Sequence, residues 1–220
     1  MTVGYFVTGT DTEVGKTLVS CALLRTLQTR HARVVGMKPV AAGAVQTADG
    51  WLNDDVVALR AAGNLKVAAE LDNPYCFPDP VSPHIAARLA GANIDIALLA
   101  DRYCQLATLA DAVVVEGAGG FLVPLADSHT SADLAQRLGL PVVLVVGLRL
   151  GCLNHALLSA EAIRARGLTL AGWVANRIDP AMQAQDDNIA TLVARLNAPL
   201  LADIPFLAQP ERAPLLLQLP

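Results

Sequence analysis

Long hydrophobic runs, paired cysteines and clusters of basic residues are all missing from this sequence, and each absence excludes a class of protein. No stretch of eighteen consecutive apolar residues is present, which argues against a membrane-spanning helix. The four cysteines stand far apart without a C-x-x-C pair, so neither a zinc site nor a disulfide framework is expected. The 16 Lys and Arg residues are scattered and the net charge is −4, which disfavours nucleic acid as a partner.

The remaining composition is that of a globular α/β protein. The chain begins without the basic and apolar segments of a secretory leader, so we expect a cytoplasmic protein that does not bind membranes. Its 220 residues, 54% of them hydrophobic and 16% charged, are enough for a large core. We expect one domain over residues 1–220, with a partly irregular tail from about residue 205; a second domain is possible but not required.

Strand-like and helix-like patterns alternate along the chain. Apolar, β-branched runs predict strands at 3–8, 33–37, 112–116, 141–146, 170–176 and 200–204. Helical spacing or capping residues predict helices after residue 17, from 54 or 55, from 82, at 94–109, from 131, at 153–166 and at 180–196. Residues 40–53 have no clean period and predict a loop, and 73–80 predict an extended connector. The alternation predicts an α/β fold, a mostly parallel sheet with helices on both faces.

The segment between the first strand and the first helix has the features of a phosphate-binding loop. Residues 9–17 read Gly-Thr-Asp-Thr-Glu-Val-Gly-Lys-Thr. The first N–H groups of a helix lack intrahelical partners and carry partial positive charge, so they bind phosphate oxygens. Lys16 is expected to reach the β- and γ-phosphates and the Thr17 hydroxyl to ligate Mg²⁺. The loop is one residue longer than the common form, and a glycine-punctuated turn is the alternative.

Two acidic positions are candidates for the same magnesium ion. Glu116 ends an apolar strand, where a carboxylate is costly unless it is paired or binds a cation. Mg²⁺ prefers hard oxygen ligands, so this carboxylate suits it; capping of the following loop is the alternative. Asp54 or Asp55 offers a second ligand, although either aspartate also suits a helix start.

Polar residues also follow two other strands, and ligands of such sheets bind beyond the carboxyl ends of the strands. Lys38 is placed to neutralise charge on a transferring phosphoryl group, unless it is a solvated surface lysine. The amide of Asn176 both donates and accepts, which suits an adenine edge; a turn-forming Asn is the alternative. No histidine has metal-ligand spacing.

Taken together, these motifs resemble the dethiobiotin synthetase family, the penultimate enzymes of biotin synthesis. The resemblance extends over about residues 3–212 and includes the lengthened loop. The segments that carry it are residues 5–17, 38–40, 73–75, 82–84, 115–120, 151–156 and 172–176. The family is a branch of the P-loop nucleoside triphosphatases.

The resemblance implies an ATP-dependent cyclo-ligase that forms C–N bonds, with ATP as co-substrate and Mg²⁺ as cofactor. The 7-amino group of 7,8-diaminopelargonate captures CO₂ as a carbamate, and the carbamate oxygen attacks the γ-phosphate. The 8-amino group then closes the cyclic urea and phosphate leaves. The family acts as a homodimer with the substrate site at the subunit interface.

The resemblance also assigns roles residue by residue. It makes Lys38, Lys16 and Thr12 the catalytic residues. It makes Thr17, Asp55 and Glu116 the metal ligands. For the nucleotide it implies Thr12, Glu13, Val14, Gly15, Lys16, Thr17, Asp55, Glu116, Gly117, Ala118, Gly119, Asn176, Arg177, Pro205, Phe206, Leu207 and Glu211. For the substrate it implies Lys38, Ala42, Gly151, Cys152 and Asn154, the last three from the partner subunit.

Two positions depart from the family pattern. Ala42 stands where a Ser commonly contacts the carbamate, and Asn188 aligns with a Tyr that commonly contacts the substrate carboxylate. We expect each loss to weaken substrate binding by about 1 kcal/mol, the scale of one hydrogen bond.

Two other functions are compatible with the same loop. The first is an ATP-driven switch of the partition or cell-division type, although such switches usually carry an extra Lys early in the loop, where this chain has Thr10 and Asp11. The second is a cobyrinate-type amidating synthase, which needs a glutaminase domain for which the chain has no room.

Overall fold

The fold is described by a computed structural model for residues 2–48, 50–207 and 216–219. The strands of these residues are β1 (Val3–Gly9), β2 (Val34–Met37), β3 (Val40–Ala42), β4 (Val45–Thr47), β5 (Gly50–Leu52), β6 (Tyr75–Phe77), β7 (Ala112–Gly120), β8 (Pro124–Ala126), β9 (His129–Thr130), β10 (Val142–Gly147), β11 (Leu170–Asn176) and β12 (Leu200–Ile204). The helices are α1 (Lys16–Gln28), α2 (Asp54–Ala62), α3 (Ala69–Asp72), α4 (Pro83–Leu89), α5 (Ile96–Leu109), α6 (Ser131–Leu138), α7 (Cys152–Ala165) and α8 (Gln185–Arg195).

Six strands form the central sheet, and every neighbouring pair in it is parallel. Their order is β12-β11-β10-β1-β7-β2. The chain first builds outward from β1 on one side, through β2 and β7, and then crosses to the other side at β10. The strand order therefore reverses around β1, which is the position where sheets of this kind bind their ligands.

The two faces of the sheet carry separate cores. In β10, Val142, Leu144 and Val146 belong to one buried cluster, while Val143 and Val145 belong to the other. Helices α1 and α2 cover the second cluster, and helices α4 to α8 cover the first. Strands buried on both faces read as continuous apolar runs, which is why β10 lacks alternation. The predicted α/β fold with helices on both faces is confirmed.

Several predicted boundaries were wrong. The predicted loop 40–53 contains three short strands: β3 pairs in parallel with β6, and β4 forms an antiparallel hairpin with β5. Strand β7 continues through the glycines to Gly120, which pairs with Gly9, so Glu116 lies inside the strand and not at its end. The last helix, α8, begins at Gln185 and not at residue 180.

Helix α6 begins at Ser131, as the sequence predicts. Helix α6 opens with a capping box, in which Thr130 and Asp133 satisfy each other's backbone N–H groups, and it ends at Gly139 in the left-handed conformation (φ 65°).

Within the part of the chain that the structure describes, no helix is long and apolar enough to cross a membrane.

Candidate active site

The phosphate-binding loop leaves the sheet where the strand order reverses. It follows β1, which lies between β7 and β10, and it ends at Lys16, the first residue of α1. The predicted order of strand, loop and helix is therefore confirmed. The N-cap residue, Gly15, has no side chain to accept a hydrogen bond, so the first turn of α1 keeps backbone N–H groups for an anion.

The loop has an unusual backbone that two residues define. Glu13 has a φ of 60° and Gly15 a φ of 90°, both in the left-handed region. Between them the side chain of Val14 is fully buried. A Cβ atom at Gly15 would lie 2.2 Å from Nδ2 of Asn176, so only glycine fits this position. The loop is thus held against the sheet by its middle residue.

Four side chains meet beside the loop in one ionic cluster. Nζ of Lys38 donates to Oε1 of Glu116 at 2.6 Å and to Oδ2 of Asp55 at 2.8 Å. The hydroxyl of Thr17 lies 2.6 Å from Oδ1 of Asp55 and 3.0 Å from Oε1 of Glu116. The structure therefore brings together the three predicted metal ligands and one predicted catalytic lysine. Of the two candidate aspartates it selects Asp55, since Asp54 is exposed.

Burial and opposite charge act differently on the two lysines. Burial lowers the pKa of Lys16 to about 8, with a further contribution from the nearby charge of Lys38. Burial also acts to lower the pKa of Lys38, but Glu116 and Asp55 outweigh it and raise this pKa above its ordinary value. Lys38 is therefore a fixed cation in the cluster and not a surface lysine: only 4% of it is exposed. Nζ of Lys16 instead donates to the backbone oxygen of Asp11 at 3.0 Å.

The cluster has a donor set that suits Mg²⁺. Glu116 is completely buried, and its Oε2 atom has no hydrogen-bond partner. Such an atom is costly unless a cation approaches it. Among the residues the structure describes, no group of three His, Cys, Asp or Glu side chains could hold a metal alone. Two carboxylates and the Thr17 hydroxyl leave positions for phosphate oxygens and water, as Mg²⁺ sites usually do.

A cavity of about 900 Å³ opens over the loop and the ionic cluster. Its lining includes predicted catalytic, nucleotide and substrate residues: Thr12, Glu13, Gly15, Lys16, Thr17, Lys38, Ala42, Asp55, Ala118 and Gly119. The other lining residues have no predicted role: Val40, Pro80, Val81, Ser82, Pro83, Ile85 and Val123. For some of these residues the sequence does contain an indication, because residues 82–84 contribute to the family resemblance.

The predicted adenosine residues follow the last two strands of the sheet. Asn176 ends β11 and is 6% exposed, and its amide donates to the backbone oxygen of Val14 at 2.9 Å. The guanidinium of Arg177 is held by Asp203 and Asp186. Pro205, Phe206 and Leu207 follow β12, with half of Phe206 exposed. Glu211 lies outside the described residues. The roles of these residues toward adenosine stay predictions.

The predicted carboxylate-binding loop lies at the start of α7. Gly151 is the N-cap (φ 95°), Cys152 is buried, and Asn154 is exposed. None of the three lines the 900 Å³ cavity of their own subunit. Asn188, the second departure from the family pattern, has its Oδ1 atom 4.0 Å from the Cys152 sulfur. One further contact has no signal in the sequence: an ion pair between Arg149 and Asp11 connects this loop to the phosphate-binding loop.

Comparison with known proteins agrees with this geometry. A family described as an AAA domain matches residues 3–213. The ATP-dependent dethiobiotin synthetase BioD of Aromatoleum aromaticum is 54% identical, and the alignment covers 95% of this chain and 93% of that protein. The protein of the same name from a Janthinobacterium species is also 54% identical, with 95% and 90% covered.

Solved structures with a similar fold are much more distant in sequence. The MinC:MinD cell division protein complex of Aquifex aeolicus has a TM-score of 0.58 at 14% identity, and covers 94% of this chain and 83% of that one. A ParA family ATPase from Chlorobium tepidum has a TM-score of 0.54 at 11% identity, with 93% and 84% covered. At these identities the likeness confirms a P-loop nucleoside triphosphatase fold and says nothing about a switch function. At 54% identity over nearly the whole length, the chain belongs to the ATP-dependent dethiobiotin synthetase family.

Proposed function

We propose that this protein is an ATP-dependent dethiobiotin synthetase that acts as a single domain in the cytoplasm. It carboxylates 7,8-diaminopelargonate with CO₂ and closes the product to the cyclic urea, with release of ADP and phosphate. The observation that carries the proposal is the cavity that joins the phosphate-binding loop to Lys38 and the ionic cluster. A carbamate and a γ-phosphate both fit the charge of such a site.

In the proposed reaction, backbone N–H groups near the start of α1 bind the phosphates, and Lys16 and Thr12 contact the γ-phosphate. A carbamate oxygen attacks the γ-phosphorus and ADP leaves, which produces a carbamic-phosphoric anhydride. The 8-amino nitrogen then attacks the carbamate carbon and expels phosphate. Most of the catalysis is positioning and charge neutralisation, because phosphoryl transfer requires little covalent chemistry from the protein.

Lys38 is proposed to neutralise the carbamate and the phosphoryl group as charge moves between them. Its ammonium is already desolvated and lines the cavity, so the interaction needs little reorganisation. Thr17, Asp55 and Glu116 are proposed to hold Mg²⁺, which when bound neutralises charge on the phosphate oxygens. Gly117, Ala118 and Gly119 bring the backbone of β7 close to the nucleotide, and Ala118 and Gly119 line the cavity.

Adenosine is proposed to occupy the edge of the sheet beyond β11 and β12, among Asn176, Arg177, residues 205–207 and Glu211. The substrate carboxylate is proposed to bind at the start of α7 of a second copy, near Gly151, Cys152 and Asn154. These residues lie outside their own subunit's cavity, and Leu150 beside them is 96% exposed, as expected for a surface covered in a homodimer.

The test is phosphate release by purified protein with ATP, Mg²⁺ and bicarbonate, measured with and without the diamine. We expect release to depend on both the diamine and bicarbonate. Lys38→Ala should abolish it, while Lys66→Ala, which changes an exposed lysine, should leave it intact. Equal ATP turnover without the diamine would reject the synthetase and favour an ATPase switch.

A further inference from the structure

Asn176 makes a contact that recognition of adenine does not require. Its Nδ2 atom donates to the backbone oxygen of Val14, at the centre of the phosphate-binding loop and 162 residues away in sequence. Both residues are buried, Asn176 at 6% exposure and Val14 at 0%. The asparagine itself is fixed from the sheet side, because its backbone oxygen accepts from the N–H of Leu148 at 2.8 Å. A rigid strand therefore holds one peptide group of the loop.

The peptide that Asn176 holds lies in a part of the loop with few other restraints on its orientation. It joins Val14 to Gly15, and the left-handed residues Glu13 and Gly15 (φ 60° and 90°) flank it. Glycine adopts left- and right-handed conformations with similar ease, so its φ alone does not fix the peptide plane. The Val14 side chain anchors the loop, since Cβ atoms at Gly9 and Gly147 would meet it at 2.6 and 2.8 Å. That anchor restrains position, while rotation of the peptide needs a further restraint.

The hydrogen bond supplies that restraint. A trans peptide is planar, with its C=O and N–H bonds pointing in opposite directions. When the Val14 oxygen faces Asn176, the Gly15 N–H must face the other way, and Gly15 lines the 900 Å³ cavity. We propose that Asn176 is a positioning residue for the phosphate-binding loop, which orients the Gly15 N–H toward the triphosphate. The inference rests on the proposed use of ATP and deepens it.

This role differs from an adenine contact in a way that can be measured. An adenine contact affects only ligands that carry the base. A residue that orients the loop also affects a ligand made of phosphate alone. Tripolyphosphate with Mg²⁺ is therefore the discriminating probe, with Mg-ATP for comparison, and calorimetric titration gives both affinities on the same protein.

Asn176→Asp is the most informative variant. It keeps the shape of the side chain and replaces the Nδ2 donor with an oxygen that repels the Val14 carbonyl. Asn176→Ala removes the contact without adding charge and serves if the first variant folds poorly, as judged by circular dichroism. Asn93→Asp, at an exposed residue, controls for the added negative charge. We expect tripolyphosphate affinity to fall at least about fivefold in both Asn176 variants and to stay unchanged in the control.

The outcomes separate this inference from the proposed function. If both Asn176 variants lose affinity for ATP but bind tripolyphosphate like the wild type, Asn176 contacts only the base and the inference is wrong. If the wild-type protein binds neither ligand, the proposed use of ATP has failed instead.

A spectroscopic readout tests the peptide itself. Labelling valine with carbonyl ¹³C and glycine with ¹⁵N selects the four glycines that follow a valine, namely Gly4, Gly15, Gly36 and Gly147. In the ligand-free protein, Asn176→Ala should shift the amide resonance of Gly15 while those of Gly4 and Gly36 stay in place. An unmoved Gly15 resonance would show that the amide does not orient this peptide.

Discussion

Replacing Lys38 by methionine should lower the free energy of unfolding, because it leaves the buried Glu116 carboxylate without its ion-pair partner. Methionine keeps much of the length of lysine and removes its charge. In the wild type the Lys38 ammonium lies 2.6 Å from Glu116 and 2.8 Å from Asp55. The Glu116 side chain is fully buried, whereas 40% of the Asp55 side chain is exposed to solvent. The variant therefore leaves one carboxylate with no access to water and without its nearest cation.

The size of the effect follows from that burial. Removing one partner of a buried ion pair destabilises a protein by about 3–5 kcal/mol. Water already solvates Asp55 in part, so we expect the lower end, a loss of about 3 kcal/mol in the free energy of unfolding. Mg²⁺ should restore part of the loss: 10 mM Mg²⁺ stabilises by about 2 kcal/mol if it exceeds the dissociation constant about thirtyfold. In the wild type the Lys38 ammonium competes for the same carboxylates, so the gain should stay below about 0.5 kcal/mol.

Urea unfolding at pH 7, with and without 10 mM MgCl₂ and without nucleotide, measures both quantities. Lys66→Met is the matched control, because Lys66 lies outside the candidate site and is exposed. It should change neither the stability nor the response to Mg²⁺. A loss below about 1 kcal/mol in Lys38→Met, or an equal gain from Mg²⁺ in wild type and variant, would refute the view that Lys38 and Mg²⁺ neutralise the same carboxylates.

Three further predictions concern single residues. Burial lowers the pKa of Lys16 to about 8, so the affinity for Mg-tripolyphosphate should fall as the pH rises from 7 to 9.5, because the ammonium loses its proton; constant affinity would contradict this role. Partial burial acts to raise the pKa of Asp133, but hydrogen bonds from Thr130 and Arg166 lower it to about 2. A lowered carboxyl pKa stabilises the fold above about pH 4 and loses that effect toward pH 2, so the deficit of Asp133→Asn in thermal unfolding, about 1 kcal/mol at pH 6, should vanish across that range. Ala42→Ser restores a hydroxyl on the cavity wall and should lower KM for the diamine about fivefold with kcat unchanged; a higher KM would show that the hydroxyl finds no partner there.

The main sheet and the phosphate-binding loop could be predicted because their signals are local. The strand β10 is a continuous run of Val and Leu, and β1 leads directly into a loop that ends in Gly-Lys-Thr. Since parallel strands end at one edge, the sequence also predicted that Lys38 and Glu116 lie near the loop, and the ionic cluster confirms that proximity. The choice of Asp55 over Asp54 rested on the family resemblance alone.

The parts that could not be predicted depend on partners distant in sequence. Strand β3 has only three residues and is paired with β6, more than thirty residues further along the chain. The glycines after Glu116 resemble a strand break, but they continue β7 because Gly120 pairs with Gly9. Likewise, the position of Asn176 after a strand indicates a base contact or a turn residue, and nothing near it in sequence indicates a bond to Val14.

Different parts of the fold line the cavity. One part supplies the nucleotide site and the other lines the proposed substrate site. The phosphate-binding loop follows the inner strand β1, and Ala118 and Gly119 belong to its neighbour β7, so the geometry of this part of the cavity follows from the sheet. Ala42, residues 80–83 and Ile85 belong to the long crossing between β2 and β7, which leaves the central sheet and lines another part of the cavity. A fold can therefore keep its nucleotide site while this crossing changes its substrate. For this reason the likeness to the MinC:MinD complex at 14% identity shows the fold alone, whereas 54% identity over an alignment that covers 95% of the chain shows the family.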